Sequence, residues 1–302
     1  MITDSPDRFL RAFAELPPAA PACALGAFLV SPSAPALATE SARDNAYMDP
    51  GMRLDLDRAR AQHAALAEAL AADVPVTVFP GHPDAPDGMF PNNVFATTAE
   101  NLIVGRMRHD IRRAEAGHAA IRQHFADSGR GLVDLSLRDD LVAELTGSLI
   151  IDRARGIGYA GLSERCDEAG ARAMHDAFGL NLSFCFELAK TEYHTNVVMA
   201  LLASRAVILA ADGFADSAVP RAIASACEER VIWIDPSQKQ AFAGNAISLS
   251  EQRVWMSARA ASALHDGQRK KLGDWGFALS CVELGELEKA GGSLRCCIAE
   301  IF

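Results

Sequence analysis

Side chains that carry chemistry recur at one place in a repeated pattern. Asn93, Glu144, His194 with Asn196, Asn245 and the pair Cys296 and Cys297 stand at the starts of similar segments, spaced by about 50 residues. A nucleophilic cysteine acts as its thiolate, and it commonly needs one partner that moves a proton and a third group that orients that partner. Cys296, His194 and Glu144 could fill these three roles. Each also has an ordinary alternative. Most free cysteines are small buried apolar residues, a histidine in an apolar strand is commonly part of the core, and Glu144 could be a solvated turn residue. The shared placement at repeat starts is what argues for chemistry.

The segments that would position them share one outline: a polar or glycine cue, a short apolar run, a polar turn and a second apolar run. They are NNVFATTAENLIVG from Asn92, TGSLIIDRARGIGYAG from Thr146, HTNVVMALLASRAVILAA from His194 and AGNAISLSEQRVWMSA from Ala243. Each reads as a β-hairpin. A fifth is split between the chain ends, with SLRCCIAEIF supplying one strand and ALGAFLVS from Ala24 the other. Helical spacing lies between the hairpins, at Leu54 to Ala71, on the face marked by Ile111, Ala114, Ile121 and Phe125, at Arg165 to Phe178, at Ser217 to Glu229 and within Ala260 to Trp275. The runs VPVTVF, LNLSFCF and VIWID lead out of these helices as further strands. The expectation is an α/β fold, a ring of five sheet-and-helix units formed by residues 1–302 as one domain. If the hairpins point radially, their starts converge on the axis from distant parts of the sequence.

Composition narrows the function. The chain has 302 residues, 29 Lys and Arg against 39 Asp and Glu, a net charge of −10, and half of its residues apolar. That balance argues against a nucleic-acid partner, which a basic patch would serve; the densest basic stretch, Arg106 to Arg113, reads as a helix start. No apolar run of about 18 residues occurs, and the acidic N-terminus is unlike a secretory signal, so neither membrane spanning nor export is expected. Seven cysteines, an odd number, read as reduced thiols in the cytoplasm rather than a disulfide framework. No C-x-x-C or H-E-x-x-H pattern is present, and no metal site is expected. Gly156, Gly158 and Gly161 have the spacing of a dinucleotide-binding loop, but that loop needs a helix opening within it, and here IGYAGL reads as a returning strand.

Five motifs carry a family resemblance: PDGMFPNNVF from Pro86, ELTGSLIIDR from Glu144, GLSERCDE from Gly161, YHTNVVM from Tyr193 and the terminal GGSLRCCIAEIF. The chain resembles the guanidino-group modifying enzymes, the superfamily of arginine deiminases, dimethylargininases and amidinotransferases, and within it the citrulline utilisation hydrolases. The resemblance implies a five-bladed β/α propeller with pseudo-fivefold symmetry and no cofactor. It implies that Cys296 is the nucleophile, with Cys297 on the opposite side of its strand. It makes His194 the general acid and base, Glu144 the acidic residue that binds substrate nitrogen or holds the histidine, and Arg165 the receiver of a substrate α-carboxylate. TESARDN, from Thr39 to Asn45, is similar to a substrate loop, which would bring Asn45 to the ligand. A homo-oligomer is compatible with this resemblance.

Asn93 and Asn196 stand where the deiminases carry aspartates. Two carboxylates suit a guanidinium cation, whereas two amides, each able to donate and accept, suit a neutral ureido group; nearby Asp87 and Glu144 pull the other way. The small-molecule substrate expected on this ground is citrulline, hydrolysed through a covalent thio-intermediate to ornithine, ammonia and carbon dioxide. Arginine deiminase, arginine dihydrolase and dimethylargininase activities are the alternatives, with a non-catalytic amino-acid-binding member of the fold.

Overall fold

The computed structural model describes residues 1–34, 36–49 and 51–302. Among them the strands form five separate sheets, four of three strands and one of four. Each is built alike. Asn101–Val104 runs antiparallel to Phe95–Thr97 and parallel to Gly131–Asp134. Ile157–Leu162 lies between Leu149–Asp152 and Leu182–Glu187 in the same way. So do Ala206–Ala210 between Met199–Leu202 and Val231–Ile234, and Arg253–Ser257 between Ile247–Ser250 and Ala278–Val282. The last sheet joins the chain ends: Gly26–Val30 pairs antiparallel with Ala299–Ile301 and parallel with Val76–Phe79.

Hydrogen-bond geometry explains the common order. A short turn suffices for the antiparallel pair, while the parallel third strand needs a crossover long enough to hold a helix. The helices Leu56–Leu70, Ala119–Asp127, Glu168–Ala177, Ala218–Ala226 and Asp266–Asp274 occupy those crossovers. Middle strands such as GAFLV and AVILA are buried at every position, which is why they read as unbroken apolar runs rather than alternating ones. The first strand Met199–Leu202 packs against its counterparts Leu149–Asp152 and Ile247–Ser250, and Ala299–Ile301 packs against Phe95–Thr97.

A single helical turn precedes four of the first strands: Pro91–Asn93, Leu145–Ser148, Thr195–Val198 and Leu294–Cys297. These turns also touch one another. Pro91–Asn93 meets both Leu145–Ser148 and Leu294–Cys297, and Leu145–Ser148 meets Thr195–Val198. Residues about 50 apart in sequence are thereby gathered at one place.

Several local expectations need correction. The helix expected across Ile111 to Phe125 is three pieces, Asp110–Arg113, Ala114–Gly117 and Ala119–Asp127. His118 adopts an extended backbone and caps the last piece, accepting from the Ile121 N–H. The helix within Ala260 to Trp275 likewise breaks before His265, which with Gln268 forms a capping box. Cys296 and Cys297 lie in the helical turn, not in the terminal strand, which begins at Ala299. Alternation along a strand therefore does not separate the two thiols. An unanticipated helix, Pro6–Ala14, starts at a Ser5 cap and stacks Phe9 on Phe184 with ring centres 4.5 Å apart. The glycine spacing that imitates a dinucleotide loop is a hairpin: Gly156 takes a positive φ of 66° in its turn, and Gly158 and Gly161 lie within the strand Ile157–Leu162.

Candidate active site

Cys296 is buried in its turn, and its Sγ faces two amides. Asn245 Nδ2 donates to it at 3.3 Å and Asn196 Nδ2 at 3.7 Å. Asn245 is itself fixed, since its Nδ2 also donates to the Asn196 carbonyl and its Oδ1 accepts from the Arg295 N–H. Burial pushes the Cys296 thiol above its ordinary value, opposed by the Ser293 backbone contact, the Asn245 amide, the charge of Arg295 and the Asn196 amide. Cys297 shares the surrounding apolar cluster but has no such donors, and burial raises its thiol well above the ordinary value. Thiolate is the reactive form. Alkylation of Cys296 in the free protein is therefore expected to climb steadily between about pH 7 and about pH 9 without levelling off, read by peptide mass mapping. A plateau at neutral pH would contradict this assignment.

His194 and Glu144 are wholly buried and joined, His194 Nε2 to Glu144 Oε2, at 2.8 Å. Burial works against the charged Glu144, but Arg165, His194 and Arg112 outweigh it and hold the carboxyl well below its usual range. The carboxylate also accepts from the Arg108 N–H at 3.0 Å and from Arg165 Nη1 at 3.2 and 3.3 Å. Burial lowers the His194 imidazole below its ordinary value, and the Glu144 bond only partly restores it. A neutral imidazole that donates from Nε2 to an ionised carboxylate keeps its lone pair on Nδ1. That Nδ1 has no partner in the protein.

Other unpartnered atoms lie close by. Asn93 Oδ1 and Asp87 Oδ1 are buried acceptors without donors. A Cβ placed on Gly147 would fall 2.5 Å from Asn93 Oδ1, 2.8 Å from His194 Cε1 and 2.9 Å from His194 Nδ1, so both side chains pack closely against the bare Gly147 backbone. Gly147→Ala would push on both. The variant is expected to lose about two orders of magnitude in kcat, because displacement of a catalytic group by about 1 Å costs that much, while its far-ultraviolet dichroism stays native.

Not every expected site residue is placed as anticipated. Asn196 is turned to the thiol and to the Thr146 carbonyl, so only Asn93 of the two amides is free to meet a substrate group. The contrast between two amides and two acids therefore loses half its weight as an argument for a neutral ureido ligand. Arg165 does not present an open fork. Its Nε and Nη2 donate to both oxygens of Asp44 at 2.8 and 2.6 Å, its Nη2 also donates to the Ser41 carbonyl, and Nη1 holds Glu144. Asn45 reaches the loop before Cys296, donating to the Gly291 carbonyl that Tyr193 also holds. Asp87 accepts from Ser41 at 2.6 Å, and burial raises its carboxyl despite the nearby Arg112.

Ser41 and Asp44 lie in the TESARDN segment, of which only Asn45 was expected at the ligand; Arg112 was not expected, and Asn245 had no role assigned. Arg112 is buried, bonded bidentately to Glu115, and donates to the carbonyls of Asp87 and Phe90. Its signal was the opposite charge three residues along, at Glu115. Among the described residues no cluster of His, Cys, Asp and Glu could hold a metal ion, and no helix is long and apolar enough to cross a membrane.

Comparison with known proteins supplies an independent reading. A family model described as N,N-dimethylarginine dimethylhydrolase, eukaryotic, matches residues 31–302. The uncharacterized protein YkgA of Bacillus subtilis (strain 168) is 23% identical over 241 residues, covering 78% of this chain and 77% of its own. Among solved structures, the N-terminal domain of ArgZ, an arginine dihydrolase from the ornithine–ammonia cycle in Cyanobacteria, is similar with a TM-score of 0.79 and 20% identity. It covers 91% of this chain and 97% of its own. A dimethylarginine dimethylaminohydrolase is similar with a TM-score of 0.70 and 21% identity, over 92% of this chain and 99% of its own. At those identities the likeness shows the shared α/β fold alone.

Proposed function

The chain belongs to the N,N-dimethylarginine dimethylhydrolase family, within the guanidino-group modifying superfamily, and from that premise we propose that it hydrolyses the guanidino group of arginine through Cys296. It is a hydrolase of non-peptide C–N bonds, and its five sheets are read as the blades of one propeller of pseudo-fivefold symmetry spanning residues 1–302. The observation that carries the substrate is the pair of buried acceptors, Asp87 Oδ1 and Asn93 Oδ1, that lack donors. A buried acceptor left unbonded costs roughly 1–3 kcal/mol. A guanidinium offers five N–H donors and no acceptor, against three donors and a carbonyl on a ureido group, so it meets such oxygens in more orientations. Its positive charge also draws the Asp87 carboxyl back to its ionised form.

The reaction follows from the groups in place. The Cys296 thiol gives its proton to the lone pair on His194 Nδ1, and the thiolate, held by the Asn245 and Asn196 amides, attacks the central guanidino carbon to give a tetrahedral adduct. His194 delivers a proton from Nδ1 to the departing nitrogen, the C–N bond breaks, and ammonia leaves a covalent S-amidino enzyme. Glu144, bonded to Nε2, steadies the imidazolium during transfer. Water then gives a proton to His194, attacks the same carbon and expels the thiolate, releasing citrulline. Asn93, with an N–H as well as an oxygen, lets the neutral ureido product bind again. A second round then yields ornithine, ammonia and carbon dioxide, the citrulline hydrolysis expected from the sequence.

Incubation with arginine, citrulline, dimethylarginine and agmatine, with ammonia, citrulline and ornithine measured, tests the proposal. Arginine consumed with about two ammonia per ornithine is the expected result, two C–N hydrolyses each needing a covalent cycle. Citrulline consumed while arginine is untouched would restore the ureido substrate and overturn this reading.

A further inference from the structure

The bond between Asp44 and Arg165 has the form an amino-acid carboxylate would adopt. Both Asp44 oxygens meet the guanidinium edge, Oδ2 at Nε and Oδ1 at Nη2, in the paired arrangement that makes arginine a carboxylate receptor. Asp44 follows the short helical turn Ser41–Arg43, and this segment closes over the site through polar latches. Ser41 Oγ donates to Asp87, the Ser41 carbonyl accepts from Arg165, Glu40 accepts from the Ile111 N–H, and Asn45 donates to Gly291. His109 Nε2 lies 3.1 Å from each Asp44 oxygen.

The two arginines of the site differ in how their carboxylates are supplied. Arg112 is matched by Glu115 three residues along, a pairing fixed by one stretch of backbone. Arg165 is matched by a residue 121 positions away, on the covering segment. The Asp44 side chain keeps 16% of its surface exposed, against 2% for Arg165. An outer cleft of about 590 Å³, lined by Arg43, Asp44 and Tyr193 among others, reaches it. A ligand entering there meets Asp44 before it meets Arg165.

We propose that Asp44 is an internal stand-in for the substrate's α-carboxylate, which keeps the site shut until an amino-acid carboxylate displaces it from Arg165. This inference rests on the reading of the site as one for a guanidino amino acid. The exchange is balanced, one carboxylate for another on the same fork, so no cation is left buried alone. A guanidino amine without a carboxylate has nothing to exchange. Asp44 thereby selects amino acids over their decarboxylated counterparts, and apparent affinity falls by the fraction of molecules that are shut.

Asp44→Asn keeps the shape and removes the charge, with Asp44→Ser as the second variant should the first fail to fold. In the substrate-free protein, alkylation of Cys296 by iodoacetamide is expected to accelerate about fivefold or more as the shut fraction falls. KM for arginine is expected to fall by a similar factor with kcat retained, and agmatine turnover to rise towards that of arginine. Unchanged alkylation, or a KM for arginine that rises, would overturn the inference and make Asp44 an ordinary structural or substrate-binding residue. If the unaltered protein hydrolyses neither arginine nor citrulline, the reaction reading falls, while the alkylation comparison still decides the role of Asp44.

Discussion

Cys296→Ala is expected to lower kcat by about four orders of magnitude or more, with the variant retaining its fold. The nucleophile leaves no substitute behind it. Cys297 is adjacent in sequence and in the same apolar cluster, but its sulfur lacks the amide donors that face Cys296. Burial raises its thiol well above the ordinary value, so a thiolate there has nothing to stabilise it. Cys297→Ala is accordingly expected to keep kcat within about threefold and to cost about 1 kcal/mol of stability through lost packing. Rapid-quench mass spectrometry of the unaltered protein with arginine is the direct check. It should reveal an adduct on the peptide ending the chain, assigned by fragmentation to Cys296. Full turnover by Cys296→Ala, or an adduct on Cys297, would remove the nucleophile assignment.

The four hairpins were legible because the first two strands of each are apolar runs on either side of a polar turn, and because the outline repeats. The split fifth unit followed from the same logic, and its strands Gly26–Val30 and Ala299–Ile301 do pair. Cys296, His194 and Glu144 could be grouped for a related reason. Each belongs to, or caps, the turn that enters a first strand, so the repeat that marks strands also marks the site. The closing segment has no such handle. Ser41 and Asp44 lie in a stretch without apolar period, and their site partners are 46 to 124 residues away. The break at Gly117 and His118 was hidden by a face of Ile111, Ala114, Ile121 and Phe125 that fits one helix, although the backbone resets between its halves. The direction in which an asparagine side chain points was beyond a pattern of residue types. Asn93 and Asn196 look equivalent in sequence, yet one leaves its oxygen unpartnered beside Gly147 and the other faces the thiol.

Glu144→Gln should separate what the carboxylate does for the histidine from what it does for the fold. The amide is the same size, but it carries no charge and can offer His194 Nε2 an N–H as readily as an oxygen. An imidazole facing the amide's N–H would move its own proton to Nδ1, the nitrogen that the reaction needs as a lone pair. A loss of about 10²–10⁴ in kcat is therefore expected, in the range that general acid–base groups supply. Stability falls for a different reason. Arg165 keeps Asp44 but loses its contact with Glu144, and breaking a buried ion pair costs up to about 3–5 kcal/mol, less here because one partner remains. The pH dependence identifies the charge as the cause. The folded state holds Glu144 below its ordinary value of 4.5, so the ionised group's contribution is present above that value and is lost as pH falls towards the folded one. Urea unfolding should therefore show the variant's deficit in full near pH 7 and shrinking below about pH 4.5. A deficit independent of pH would assign the loss to packing, and a variant with unchanged kcat would place the orientation of His194 elsewhere.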